Sequence, residues 1–243
     1  MCGRYAAGRK PEELVQLFDV ETWEPAEALG PDWNVAPTKP VHAVLERPVR
    51  GAGPEPVRQL RTLRWGLVPA WAGSPAAAAK MINARAETVH EKPAYRQPFA
   101  SRRCLVPADG YFEWAGAGRQ PYFVTPADGS VMAMAGLYEF WRDRAVPAED
   151  PAAWWCTCTV VTTAAEPALA GIHERMPLVL PPDRWDAWLD PSLTDPDRAR
   201  QLLVPPPPGR MEARPVSSAV GSFRNNGPEL LLPVRPEAPP RLF

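Results

Sequence analysis

Hydrophobic and polar positions recur with two different periods along this chain, and the change of period marks its elements. Residues 11–19, Pro-Glu-Glu-Leu-Val-Gln-Leu-Phe-Asp, place Leu14, Leu17 and Phe18 on one helical stripe. Pro11 suits the first helical position, and Glu12 and Glu13 suit the positive end of the helix dipole, so a short helix is predicted there. Segments 41–46 and 57–63 read as strands on either side of a Gly/Pro loop at 51–56. Further strands are expected over 103–106, 111–114, 121–125, 131–137 and 154–162. The tetrapeptide Pro-Ala-Asp-Gly occurs twice, at 107–110 and 126–129, and reads as turn chemistry at both places. Helices are expected over 183–189 and 195–203, and the proline run 205–208 reads as a loop. Strands dominate and helices are scattered. The expectation is an α+β fold, a single domain with a mixed or antiparallel β core and peripheral short helices. Each proline-rich stretch is short, so no internal boundary is drawn. The domain is expected over 1–234, with a Pro-rich C-terminal tail over 235–243.

Composition changes this picture little and charge somewhat more. At 243 residues, 45% hydrophobic and 23% charged, the chain can bury a sizeable core. The formal net charge of -1 argues against a strongly basic coat for nucleic acid, though not against a local basic groove. Most basic residues are arginine, the better side chain for bidentate phosphate contacts; the lysines are Lys10, Lys39, Lys80 and Lys92. The cysteines are Cys2, Cys104, Cys156 and Cys158. No apolar signal core opens the chain and no stretch is long and apolar enough to span a bilayer, so free thiols in a reduced cytoplasm are expected.

Cys2 carries the most chemical information. Removal of Met1 would leave an amine and a thiol on adjacent carbons, a 1,2-aminothiol that condenses with aldehydes to a five-membered thiazolidine. The amine titrates near ~8 and the thiol near ~8.5, so both have a reactive fraction at neutral pH. Cys2 equally fits a buried small residue near a terminus. Asn83, Arg85 and Glu87 share one face if their segment is a strand, which suits an anionic substrate or an edge with an internal ion pair. Glu113 lies in Tyr111-Phe112-Glu113-Trp114. Aromatic surroundings disfavour the carboxylate and suit a general acid/base, whereas the outer face of a strand would leave it solvated. His173 can shuttle a proton near pH 7 or be a hydrogen-bonded structural residue. Cys156 and Cys158 lie on one strand face with no second ligand pair, so they read as core rather than a zinc site. Phosphate loops of the usual kinds and a Gly-x-Ser-x-Gly elbow are absent.

Several stretches together resemble the SRAP family (SOS response-associated peptidase domain). They are Cys2-Gly3-Arg4-Tyr5, Asn34-Val35-Ala36-Pro37-Thr38, Arg64-Trp65-Gly66-Leu67-Val68-Pro69-Ala70-Trp71, Asn83-Ala84-Arg85-Ala86-Glu87-Thr88, Asp109-Gly110-Tyr111-Phe112-Glu113-Trp114, His173-Glu174-Arg175-Met176-Pro177 and Asn225-Asn226-Gly227-Pro228-Glu229-Leu230. The resemblance implies an SRAP-like fold and a protein that shields abasic sites in single-stranded DNA. It implies that Cys2, after loss of Met1, traps the open-chain sugar aldehyde as a thiazolidine crosslink. Self-processing and AP-lyase chemistry would accompany that trap. Asn83 would orient the cysteine or the sugar, Glu113 would handle protons, and His173 would assist sugar ring opening. Arg4, Arg85 and Arg175 would hold flanking phosphates. Pro37 and Trp71 would hold or wedge bases, with Thr162 a further DNA contact. No cofactor and no metal are implied. The partner is single-stranded DNA with abasic sites, bound by a monomer, with no membrane; the protein would be cytoplasmic and nucleoid-associated on DNA. Some relatives carry a second Trp after the position of Trp71, where this chain has Ala72.

Other readings of the same residues are an N-terminal-nucleophile hydrolase or amidotransferase using Cys2, a peptidase, and a non-enzymatic single-strand binding module. Arg4-Tyr5 departs from the apolar continuation that an amidotransferase strand normally has, and glutamine-binding motifs are not evident.

Overall fold

Alternation along the long strands sorts their side chains onto two faces, and both faces are covered. The computed structural model describes residues 2–49, 51, 53–116 and 120–235. In chain order the strands are β1 (Arg4–Ala7), β2 (Thr22–Trp23), β3 (Asp32–Val35), β4 (Pro40–Pro48), β5 (Pro56–Trp65), β6 (Asn83–Arg85), β7 (Arg103–Ala108), β8 (Gly110–Ala115), β9 (Gln120–Pro126), β10 (Met132–Arg142), β11 (Trp154–Ala164), β12 (Arg175–Pro177) and β13 (Met211–Pro215). The α-helices are α1 (Pro11–Leu17), α2 (Arg96–Ser101), α3 (Trp185–Leu189) and α4 (Pro196–Gln201). Along β10, Met132, Met134 and Tyr138 enter one apolar cluster, while Ala133, Ala135 and Leu137 enter a second. The first cluster is shared with Cys2, Tyr5, Val35 and Tyr111. The second is shared with the helices through Leu14, Phe99, Trp188 and Ala199.

Strands β5, β4, β7, β10 and β11 pair in that order, each antiparallel to the next. β11 then returns to β5 through Thr157 opposite Arg64 and Cys158 opposite Trp65. Alternating directions cannot close around five strands, so one pair must be parallel, and β11 with β5 is that pair. Closure removes open edges from the core of the sheet. Strands β13, β9, β8, β1 and β3 form a separate five-stranded sheet, in that order, against this barrel-like core, while β2 adds to β5 and β12 to β11. β6 adds to β11 in parallel, with Asn83 opposite Val160 and Arg85 opposite Thr162. The architecture is the expected α+β one: mixed sheets with few, short helices. Among the described residues no helix is long and apolar enough to cross a membrane.

The sequence predicts a four-residue turn at 107–110, and the structure corrects it. β7 runs through Ala108 and β8 starts at Gly110, so Asp109 alone carries the chain from one sheet to the other. The Asp109 amide donates to the Ala6 carbonyl (2.8 Å), and its carbonyl accepts from Thr125 Oγ1 (2.6 Å). At Gly110 a Cβ would strike the Phe123 ring and the Val124 carbonyl, so only glycine fits the corner. The second tetrapeptide does turn: the Gly129 amide donates to the Pro126 carbonyl (3.0 Å). Of the tail expected over 235–243, only Arg235 is among the described residues. Residues just before it are tied in, since the Val234 amide donates to the Pro215 carbonyl (2.9 Å).

Candidate active site

The N-terminal residues reach the centre of the molecule because β1 is an inner strand. It pairs with β8 through Arg4 opposite Phe112 and Tyr5 opposite Tyr111, and with β3 through Tyr5 opposite Val35. Cys2 precedes β1 and is buried, 1% exposed, in the cluster between barrel and sheet. Its thiol donates weakly to the Arg4 carbonyl (3.6 Å). Burial pushes the thiol pKa well up, and the nearby Glu113 charge pushes it further. The group held here is therefore a neutral thiol.

Asn83 meets Cys2 from the barrel side. Its Nδ2 donates to the Cys2 carbonyl at 2.8 Å, and its Oδ1 is buried with no hydrogen-bond partner among the described residues. A buried acceptor left open is costly unless something fills it, so this oxygen is poised for a donor. Tyr95 fixes the local backbone by donating its hydroxyl to the Asn83 carbonyl (3.2 Å).

Glu113 projects from β8 and is buried, 6% exposed, so it is not the solvated outer-face carboxylate that the strand pattern allowed. It shares a narrow crevice with Tyr111, Leu169, Ile172, His173 and Arg175. His173 is half-buried in the segment before β12, and its Nδ1 accepts from the Arg175 amide (2.9 Å). An accepting Nδ1 leaves Nε2 to carry the proton in the neutral ring. Cys2 thus has the Asn83 amide bonded to its carbonyl and the Glu113 carboxylate near enough for its charge to act on the thiol, and that carboxylate lines a crevice with an imidazole.

The arginines divide into two kinds. Arg4 donates from Nη1 to Asn34 Oδ1 (2.8 Å) and the Val220 carbonyl (3.0 Å), and from Nη2 to the Gly221 carbonyl (3.3 Å). Burial lowers its pKa, with Asp32 opposing. In this arrangement Arg4 ties the 218–221 turn to β1 and β3. Arg175 forms a two-pronged pair with Glu87 at 2.7 and 2.9 Å and donates to the Thr162 carbonyl at 2.6 Å. Thr162 itself is fully buried, and its hydroxyl donates to the Ala84 carbonyl (3.3 Å). The internal pair expected between Arg85 and Glu87 does not form, because β6 ends at Arg85 and Glu87 lies in the following turn. The Arg85 side chain is exposed and makes no hydrogen bond or ion pair among the described residues, while its carbonyl accepts from the Thr88 amide (3.1 Å). Pro37 is half-buried beside Thr38, whose φ of 71° is unusual for a residue with a branched side chain. Trp71 stands 69% exposed on the loop after β5.

Cys2, Asn83, Glu113, His173, Arg175 and Thr162 are therefore gathered, while Arg85, Pro37 and Trp71 are more accessible positions. Cys156 and Cys158 pack on the central cluster with Cys104, all as free thiols, as the spacing suggested. The sequence reading missed Asn34 and Glu87 as partners of the arginines. Asn34 is fully buried and polar, a signal available only once its burial is known.

A closed barrel with a side sheet, and a polar site gathered around the second residue, define an SRAP-type domain. Residues 1–223 match the model of the SOS response associated peptidase (SRAP) family, and the chain belongs to that family. It is 37% identical over 234 residues to the abasic site processing protein YoqW of Bacillus subtilis, covering 95% of this chain and 99% of that one. It is 32% identical over 242 residues to the abasic site processing protein YedK of Escherichia coli, covering 96% and 100%. A crystal structure of a protein from Bacteroides thetaiotaomicron matches with a TM-score of 0.80 at 25% identity, covering 96% of this chain and all of that one.

Proposed function

We propose that this protein processes abasic sites in DNA, as its relatives are named for doing, by trapping the sugar covalently on Cys2. The observation that carries the reading is the hydrogen bond from Asn83 to the Cys2 carbonyl, with the charge of Glu113 acting on the same residue's thiol. Met1 must first leave, and the peptidase in the family's description is read here as the cut that exposes Cys2. The freed amine then adds to the C1′ aldehyde of the open sugar, and loss of one water gives an imine. The Cys2 sulfur next adds to the imine carbon: a carbon–sulfur bond forms, the thiol proton leaves through Glu113, and the ring nitrogen gains a proton. The balance is aldehyde plus aminothiol giving thiazolidine plus one water, with no redox change.

The buried, neutral thiol suits this order of events. It does not compete as a thiolate while the imine forms, and a carboxylate next to it can accept its proton at closure. The Oδ1 of Asn83, buried without a partner among the described residues, takes a hydrogen bond from the new terminal amine or from a sugar hydroxyl. His173, across the crevice, is assigned to opening the closed sugar. An imine left open permits β-elimination and strand cleavage, so ring closure decides between shielding and lyase chemistry. The strand itself is single, engaged by one copy of the chain: Arg85 takes a phosphate, and Pro37 and Trp71 take bases.

Intact mass of the purified protein, alone and after incubation with abasic single-stranded DNA, tests the reading. The expected result is a chain lacking Met1 that gains the oligonucleotide mass less one water. Cys2→Ala should keep imine or lyase reactivity and lose the stable adduct. A hydrolysis-resistant adduct on that variant, or none on the native protein, overturns the proposal.

A further inference from the structure

A second polar-aromatic feature lies beside the site and has no part in the chemistry above. Arg64, next to the end of β5, is exposed, and its side chain makes no hydrogen bond or ion pair among the described residues. Its guanidinium carbon lies 4.8 Å from the ring centroid of Trp155. Trp155 in turn meets Trp141 edge to face at 5.5 Å, and Trp141 Nε1 donates to the Ala72 carbonyl (2.7 Å). This chain of contacts fixes the loop carrying Trp71 to the platform on which Arg64 rests. Gly66 lets the segment after that loop close over β5: its φ is 126°, and a Cβ there would meet the Ala78 carbonyl at 2.5 Å.

Between the two walls runs an open groove lined by Thr38, Arg64, Ser74, Pro75, Ala79 and Trp155, among others, with no carboxylate among the lining residues. One wall begins a residue after Pro37. The other begins three residues after Trp71. The Thr38 amide donates to the Trp65 carbonyl (2.7 Å), which holds the Pro37 wall against β5. The groove's walls thus follow directly in the chain on both positions assigned to bases.

From this adjacency, and from a guanidinium free of any carboxylate, we infer that the groove seats one further nucleotide of the single strand. Its base stacks over the guanidinium of Arg64, which Trp155 supports from below, and its phosphate accepts hydrogen bonds from the guanidinium edge. Arginine planes stack on bases and bind phosphates in one geometry, and an unpaired strand leaves both groups open to it. The inference rests on the single-strand reading above and lengthens the path that reading requires.

The test uses the full chain with intact and abasic single strands of about 5 and about 15 nucleotides, spanning the usual site sizes. Arg64→Gln should weaken binding of the longer strand by about tenfold, the scale of one lost base stack. It should also lower the salt slope of binding by roughly one phosphate contact. It should leave the shorter strand's affinity, and the final adduct yield at saturating DNA, at native values. Arg64→Lys should keep the salt slope and lose most of the stacking gain. Trp155→Phe, which keeps a ring for Trp141 to meet, should fall between native and Arg64→Gln. Native affinity and salt slope for the longer strand in Arg64→Gln overturn the inference. So does a loss of equal size on the shorter strand. Binding reads the groove and adduct formation reads the proposed function, so either can fail while the other stands.

Discussion

Asn83 donates from Nδ2 to the Cys2 carbonyl at 2.8 Å while its Oδ1 stays buried and open among the described residues. One side chain thus holds the Cys2 backbone and carries an open acceptor as well. If that acceptor receives the terminal amine, Asn83 sets the direction from which the amine meets the aldehyde. Asn83→Ala should slow adduct formation by about tenfold, the kinetic equivalent of one hydrogen bond. Asn83→Asp should slow it further, because a carboxylate would face the Cys2 carbonyl. Single-turnover crosslinking at saturating abasic DNA measures both, and native rates in Asn83→Ala would count against this role.

The buried acids predict how stability responds to alkali. Burial raises the pKa of Cys2, Cys104 and Cys158 and pushes Cys156 up to about 12; Tyr5, Tyr111 and Tyr138 are raised as well, again by burial first. In the unfolded chain the thiols titrate near ~8.5 and the tyrosines near ~10. Below about pH 8.5 both states hold these protons and the groups give no slope. Above it the unfolded state loses protons that the folded state keeps, so unfolding becomes easier as pH rises. Each such group contributes a fall of about 1.4 kcal/mol per pH unit once its unfolded form titrates. Urea midpoints should be level from pH 7 to 8.5 and drop steeply by pH 10. Cys158→Val, similar in volume, should flatten part of that drop. A level midpoint through pH 10 would contradict the argument.

The fold was legible where long strands alternate cleanly. β4, β5, β9 and β11 contain the segments expected, and the helical stripe of Leu14 to Phe18 gave α1. The short strands were not predicted. β3, β12 and β13 have three to five residues, too few to show a period, and they are strands only because a neighbour accepts their hydrogen bonds. The corner at Asp109 was misread because proline and glycine mark a sheet-changing bend as strongly as a hairpin turn. Of the candidate site, Cys2, Asn83, Glu113 and His173 were singled out through their motifs, and the structure brings them together. Arg4 shows the limit. Its carbonyl partners lie at Val220 and Gly221, which no local pattern could connect to residue 4.

Glu87 and a phosphate would compete for the same guanidinium. The Arg175 side chain is 13% exposed and that of Glu87 is 52% exposed, so the carboxylate is the member of the pair that can leave. Its pKa is lowered mainly by the hydrogen bond from Arg175, which keeps it ionised at neutral pH. An exposed pair of this kind adds only about 0–1 kcal/mol to stability. Glu87→Gln should therefore unfold close to the native midpoint and bind single-stranded DNA roughly threefold more tightly, by freeing part of one phosphate contact. Arg175→Ala should weaken binding and lower the salt slope by about one. Titrations at several salt concentrations measure both. If Glu87→Gln weakens binding as much as Arg175→Ala does, Glu87 positions the arginine rather than competing for it.

Arg103 is the counter-example, an arginine that should matter to stability and not to DNA. It is 2% exposed on β7, and burial lowers its pKa to about 10, which still leaves it charged at neutral pH. Its Nε donates to the Trp188 carbonyl (2.7 Å), and Nη1 donates to those of Phe99 (2.7 Å) and Ala100 (2.9 Å). Nη2 donates to the Asp190 carbonyl. These carbonyls end α2 and α3, so one guanidinium fastens two helix termini to the barrel and satisfies acceptors that helices leave open. Arg103→Met removes the charge and strands all four acceptors. A loss of about 3–5 kcal/mol is expected, the scale of breaking a buried charge-assisted network. Arg103→Lys should recover only part, because an ammonium cannot span the two helix ends as the planar fork does. Urea unfolding gives the stabilities, and the folded fraction of each variant should bind DNA at native affinity. A midpoint for Arg103→Met within about 1 kcal/mol of native would mean that water satisfies those carbonyls equally well.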